Sequence, residues 1–283
     1  MLIIFGVRPY ETGAVDRRQS NVAPIPPLAH HVMLRLHDGR TIARTAAERR
    51  EVAAIVDEQG GPRGLLVFRL ADSHLHVLLA TDTCGASAFA NYAACALGWR
   101  VTHRVPFDRA RVRAVADQHH LKSAFRYILR QEQHHGTALD PEHEASSVPD
   151  LVGLRVPALD PWRSLRTLLP RVTRAQVLET IGWALLDRWP LLFEPLAEAV
   201  IACRGSLRAS RCAAVHLAHP SLGIGAVAAA LGIHRRSVYR FLAETPDLAH
   251  LRAVELQLRL RTQLALRPGT PSPSPRTFEW PHP

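Results

Sequence analysis

The sequence predicts an α+β chain, with a small antiparallel sheet and its helices in the first half and an all-α second half. Three observations predict this. Residues 31–37, 65–70 and 76–79 carry the alternating or continuous apolar patterns of strands, while residues 45–60 and 86–97 carry helix signals. Beyond Pro161 the apolar residues recur at helical intervals.

Residues 1–29, with Pro24, Pro26 and Pro27, read as an extended lead-in. From His30 the pattern sharpens: His31-Val32-Met33-Leu34-Arg35-Leu36-His37 alternates as a strand and Asp38-Gly39 closes it. Thr45 starts a helix, Glu48 completes a capping box, and Val52, Ile55 and Val56 supply its apolar face. Gly60-Gly61-Pro62 ends it. Leu65 to Leu70 and His76 to Leu79 follow as a hairpin about Asp72-Ser73. A second helix is expected over 86–97 and a strand from Trp99 to Phe107. The order βαββαβ is the split βαβ arrangement of ferredoxin-like domains, with helices on one sheet face and the other face open.

Length permits one large domain or two modest ones, either able to bury a core without metal or disulfide staples. The formal net charge is +10, and Lys122 is the only lysine, so the positive charge is almost wholly arginine. Such a balance favours a polyanionic partner, of which nucleic acid is the usual one. A phosphate-binding glycine loop ending in Lys-Ser/Thr is excluded, because no glycine precedes Lys122 in its stretch. Cys84, Cys95, Cys203 and Cys212 form no Cys-x-x-Cys pair and read as buried, reduced thiols. The Met-Leu-Ile-Ile-Phe start lacks a basic leader and no apolar run approaches membrane-spanning length, so a cytoplasmic location is expected.

The chemistry centres on Asp72-Ser73-His74-Leu75-His76-Val77. On a strand His74 and His76 share one face while Leu75 and Val77 enter the core behind them. Two imidazoles side by side make half of a metal site. A helix opening at Asp117 and running to about Gln133 packs through Leu121, Phe125, Ile128 and Leu129. At about 100° per residue, His120, Ser123, Tyr127, Gln131 and His134 fall on a neighbouring strip. Tyr127 and Gln131, four residues apart, then face a shared space. His119, His120, His134 and His135 are expected to face phosphate or solvent, with addition to the site as the alternative.

These residues resemble the single-tyrosine HUH transposases of the insertion-sequence 200/605 and REP-associated type, whose name denotes His, hydrophobic, His. The resemblance covers residues 30–156, and residues 146–155 look like the family's trailing segment. It implies that Tyr127 is the nucleophile and that His74, His76 and Gln131 hold Mg²⁺ or Mn²⁺. It also implies a single-stranded hairpin DNA substrate and a dimeric active species. The chain departs from the family at Asp72-Ser73, where Pro-Asn is common, and at Arg130-Gln131, where Asn-Pro often follows the tyrosine. A phenol, with its pKa near 10, is a weak nucleophile at neutral pH unless its target is activated. A divalent cation on a phosphate oxygen supplies that activation.

Residues 157–205 read as a helical linker region, with stretches at 173–189 and 191–204. In residues 206–266, Ile224 to Ile233 leads into His234 to Leu242 with the spacing of a helix-turn-helix: Ala228 at the crossing, Gly232 at the turn, and Val227, Leu231, Ile233, Val238 and Phe241 inside. Arg235, Arg236, Ser237, Tyr239 and Arg240 are then exposed to a DNA major groove. A further helix is expected over 247–266, and a disordered Pro/Ser-rich tail over 267–283. The reading is a metal-dependent single-strand DNA endonuclease and strand transferase delivered to duplex DNA. The alternatives are a non-catalytic DNA-binding regulator of the same fold and a metal hydrolase acting through water.

Overall fold

A computed structural model describes residues 26–131, 140–157 and 160–266. The lead-in and tail read from the sequence lie mostly outside these residues. The architecture is α+β, with one four-stranded antiparallel sheet and helices that include a long C-terminal series.

Strand β1 (Ala29–Arg35) is followed by α1 (Ala46–Gly60), the hairpin β2 (Leu65–Ala71) and β3 (His74–Leu79), α2 (Thr83–Arg100) and β4 (Arg111–Val115). The strands lie in the order β2-β3-β1-β4, every neighbouring pair antiparallel. The Thr45/Glu48 capping box forms at the start of α1, and Asp82 caps α2 by accepting from the Gly85 N–H. The expected strand at 99–107 is not there. The run Ala93, Leu97, Val101 continues the buried stripe of α2, so the helix persists to Arg100. Pairing resumes only at the Leu36–Phe107 bridge and then in β4.

Alternation sorts the sheet into two faces. Val32, Leu34, Phe68, Leu70, Leu75, Val77 and Leu79 pack against Val52, Ile55 and Val56 of α1 and Phe89, Ala93 and Leu97 of α2. The opposite face is not wholly open, contrary to the sequence expectation. At one end Ala29, Val67, Leu78 and Val115 are covered by α3 (Gln118–Leu129) through Leu121, Phe125, Ile128 and Leu129. At the other end the same face carries His31, Met33, Arg35, His74, His76, Arg111 and Arg113, and there it borders a cleft.

Next come α4 (Val148–Val152), α5 (Pro161–Leu168), α6 (Arg174–Thr180), a 3₁₀ turn at Leu186–Arg188 and α7 (Leu196–Ala202). The expected helix at 173–189 is therefore short, broken after Thr180, with Gly182 at φ 76°. Asp150 and Arg155 form a buried ion pair, and Arg155 also donates to the carbonyls of Ser146 (2.8 Å) and Glu144 (3.1 Å). Helix α8 (Leu207–Leu231) is broken by Gly223, at φ 74° and ψ 169°. Then come α9 (Arg235–Leu242) and α10 (Leu248–Leu266). Leu256 and Leu260 of α10 join the core beneath α3, while Val254 and Leu258 join the core of α7, α8 and α9. Gln257 on the same helix donates to the Leu154 carbonyl at 2.8 Å.

Two sequence expectations are corrected here. Taken end to end, α8 has the length and apolar composition of a membrane-crossing helix, against the expectation that no run of that length exists, but Gly223 breaks it into two shorter arms. Its Cys212, Ala213, Ala214, Val215 and Ala218 are buried against protein. Of the four cysteines, all free, Cys203 and Cys212 are buried, but Cys84 and Cys95 are exposed because they occupy the outer side of α2.

Candidate functional site

The cleft has a volume of about 740 Å³ and is lined from below by the polar end of the sheet and from above by His120, Ser123, Ala124 and Tyr127 of α3. Register explains its floor. His74 pairs with Arg35, His76 with Met33, and His31 with Arg113, so one face presents them together in three rows. Asp117 opens α3 by accepting from the His120 N–H at 2.8 Å. The spacing of His120, Ser123 and Tyr127 then lays them along one side of the helix, above that floor.

Tyr127 stands 43% exposed at the rim of the cleft. Its ring meets that of His76 edge to face, with centroids 5.7 Å apart, and that of His31 at 6.1 Å. The His74 and His76 rings are 4.8 Å apart. Although it lines the cleft, His76 is only 2% exposed, because neighbouring rings crowd it. His74 Nδ1 lies 3.2 Å from Ser73 Oγ, and His76 Nδ1 lies 3.0 Å from His31 Nε2. Each imidazole is thus engaged at Nδ1. Burial, then the Arg113 charge, then His120, pushes the His31 pKa down to about 4, so this ring is neutral at pH 7.

Gln131 lies elsewhere. It is 1% exposed, its Nε2 donates to the Tyr127 carbonyl at 3.4 Å, and it is not among the residues lining the cleft. The reason is local: α3 ends at Leu129, with Arg130 at φ −102° and ψ 16°, so the helical projection from Tyr127 to Gln131 no longer holds. His134 and His135 fall outside the described residues, and His119 is exposed on α3 without lining the cleft.

Among the described residues, no three His, Cys, Asp or Glu side chains converge with metal-binding geometry. His74 and His76 offer two nitrogens. Two imidazole nitrogens are a partial donor set, softer than the oxygen ligands Mg²⁺ prefers, so a divalent ion there would draw most of its shell from oxygens outside the protein.

Sequence reasoning missed His31 as a member of this cluster. Alternation in β1 separates it from His30, whose ring is turned to the opposite side and satisfied by the Thr81 carbonyl (2.8 Å) and Thr83 Oγ1 (3.0 Å). Only the β1–β3 register shows which of the two faces the cleft.

In the C-terminal half, Gly232 at φ 61° terminates α8, and the His234 side chain caps α9 by accepting from the Arg236 N–H at 3.1 Å. Val238 and Phe241 pack against Val227, Ala228 and Leu231. Arg235, Arg236, Tyr239 and Arg240 are exposed and Ser237 is half-buried. The Arg235 guanidinium lies over Gly225, leaving Arg236, Tyr239 and Arg240 as an outward row at positions i, i+3 and i+4.

Comparison with protein-family models, with curated proteins and with solved structures finds no match for this chain.

Proposed function

We propose that the sheet and its cleft form a ferredoxin-like HUH domain that nicks and rejoins single-stranded DNA. In this reading α8 and α9 form a helix-turn-helix that engages duplex DNA. The observation that carries it is the meeting of Tyr127 with His76 at 5.7 Å, above a strand that presents His74 beside it. The strand order β2-β3-β1-β4, with the chain order βαββαβ, supports the ferredoxin-like assignment. The row Arg236, Tyr239 and Arg240 supports the duplex contact. By the same reading the protein works as a dimer in the cytoplasm.

In the reaction, Tyr127 Oη attacks a phosphorus in line, the bond from phosphorus to the 3′-oxygen breaks, and the phenolic proton is balanced by protonation of the departing oxygen. The 5′-phosphate remains on Tyr127 as a phosphodiester, so a 3′-hydroxyl rejoins it by the reverse step without a nucleotide cofactor. His74 and His76 would hold Mg²⁺ or Mn²⁺, which when bound withdraws charge from a phosphate oxygen. His31 holds His76 in place, and the low exposure of His76 keeps its ring orientation set by neighbours rather than by water.

One observation favours a second reading, a non-catalytic DNA-binding regulator of the same fold. The Gln131 amide is committed to the Tyr127 carbonyl rather than to the cleft. Incubation with a labelled pool of single-stranded hairpin DNA and Mn²⁺, followed by a denaturing gel, separates the two. The enzyme yields a protein–DNA adduct that Tyr127→Phe and a chelator each abolish. Bound DNA with no adduct selects the regulator.

A further inference from the structure

Beside the histidines the cleft floor changes character. Arg35, Arg111 and Arg113 all line it and all are exposed. No ion pair or side-chain hydrogen bond involves any of the three among the described residues, where most other arginines near the sheet have partners. A smaller adjoining cavity of about 300 Å³ continues the same strip along Met33, Arg35, Asp108, Arg109 and Arg111. Its single carboxylate, Asp108, is held by His37 Nδ1 at 2.7 Å.

Geometry gives the strip a direction. Arg111 and Arg113 are alternate residues of an edge strand, so they project on one face about 7 Å apart. Met33 of β1 lies between Arg111 and His76, which places the arginine column two strand spacings, about 10 Å, from the histidine column. A line of guanidiniums along a strand edge, within a nucleotide or two of the Tyr127 phenol, suits a chain of phosphates better than one isolated anion.

We propose that Arg35, Arg111 and Arg113 form a track for the phosphodiester backbone of a single strand, leading it past His74, His76 and Tyr127. This rests on the cleft being a strand-cleavage site and adds where the uncut strand lies. The competing explanation is that arginines on β4 merely guard a sheet edge against pairing with another chain. A glutamate guards an edge equally well but repels phosphate, so charge reversal separates the two.

The test is fluorescence anisotropy of the full chain with a labelled 20-nucleotide oligothymidylate in EDTA, over a range of salt. The chain carries Arg236→Ala and Arg240→Ala throughout, to silence the outward row of α9. Adding Arg111→Ala and Arg113→Ala is expected to lower the slope of log affinity against log salt by about 1.4, at about 0.7 for each phosphate no longer neutralised. Arg111→Glu with Arg113→Glu is expected to weaken binding by about 10-fold or more at about 0.1 M salt while the protein's elution volume and melting curve stay unchanged. A duplex that binds equally well overturns a single-strand track. An unchanged slope, or a reference chain that binds no single strand, also overturns it. A lowered slope in a protein that never forms the Tyr127 adduct keeps the track and removes the cleavage reading.

Discussion

His31 Nε2 lies 3.0 Å from His76 Nδ1, and the two rings meet nitrogen to nitrogen with centroids 5.2 Å apart and planes inclined by 28°. A histidine ligand held at its second nitrogen keeps one tautomer and one ring orientation, and loss of such a partner typically costs about 10–100-fold in metal affinity. On the proposed reading, His31→Phe lowers Mn²⁺ affinity by about that factor, and His31→Gln, which retains an acceptor, recovers part of it. Titration followed by the electron paramagnetic resonance of free Mn²⁺ measures this without any catalysis. Equal affinities for wild type and His31→Phe would remove the positioning role.

The proposed duplex contact has its own signature. Arg236→Ala and Arg240→Ala together should reduce the salt dependence of duplex binding by about 1.8, at about 0.9 per phosphate. Adduct formation on a short hairpin should be untouched, because these side chains are on α9 and the cleft is built from the sheet and α3. Gel mobility shift at several salt concentrations, beside the adduct assay, measures both.

The two left-handed glycines of α8 differ in what a side chain would cost. At Gly232, φ 61° and ψ 37° lie in the left-handed helical region, and an added Cβ meets nothing within 4 Å. Gly232→Ala should therefore cost about 1 kcal/mol, and Gly232→Asn less. Gly223, at φ 74° and ψ 169°, occupies a region essentially reserved for glycine. Gly223→Ala should cost more, about 1–3 kcal/mol, or straighten the break between the two arms. Chemical denaturation of the three variants ranks them.

Arg155 and Asp150 are both buried, and Arg155 also ties down two carbonyls ahead of α4. Removing one partner strands the other, so Arg155→Met and Asp150→Leu alone should each cost about 3–5 kcal/mol. The double variant should cost clearly less than the sum. A double-mutant cycle by urea denaturation decides, and additivity of the two single losses would count against a coupled pair.

Asp57, at the end of α1, has its pKa pushed up to about 6, first by burial and then by the Asp150 charge. A raised carboxyl pKa means the folded state binds the proton more tightly than the unfolded state. The associated stability is fully present below about pH 4, is lost as pH rises through about 6, and is gone above that. Asp57→Asn should accordingly stabilise the protein at about pH 8, by about 2 kcal/mol, and have little effect near pH 4. Melting temperatures at the two pH values provide the comparison.

Several features were legible in the residues because they depend on neighbours in sequence. The Thr45/Glu48 box, the Asp117 cap, the shared face of His74 and His76, and the buried stripe Leu121, Phe125, Ile128 and Leu129 follow from helix and strand periods alone. So do the inward positions of Val227, Ala228, Leu231, Val238 and Phe241. The sequence misled where a helix was ended too early or carried on too far. Helix α2 outran the strand expected at 99–107, and α3 stopped before Gln131, so that the amide turned onto the Tyr127 carbonyl.

Local patterns of apolar and polar residues are enough to set the α+β class, the hairpin that carries His74 and His76, and the helix that carries Tyr127. Long-range packing selects His31 over His30 as the partner of His76 and stands Arg111 and Arg113 across β1 from the histidines. It also leaves α3 covering only one end of the second sheet face. Register joins residues far apart in the chain, and it is settled by which side chains fill both cores at once, a condition no single stretch of sequence contains.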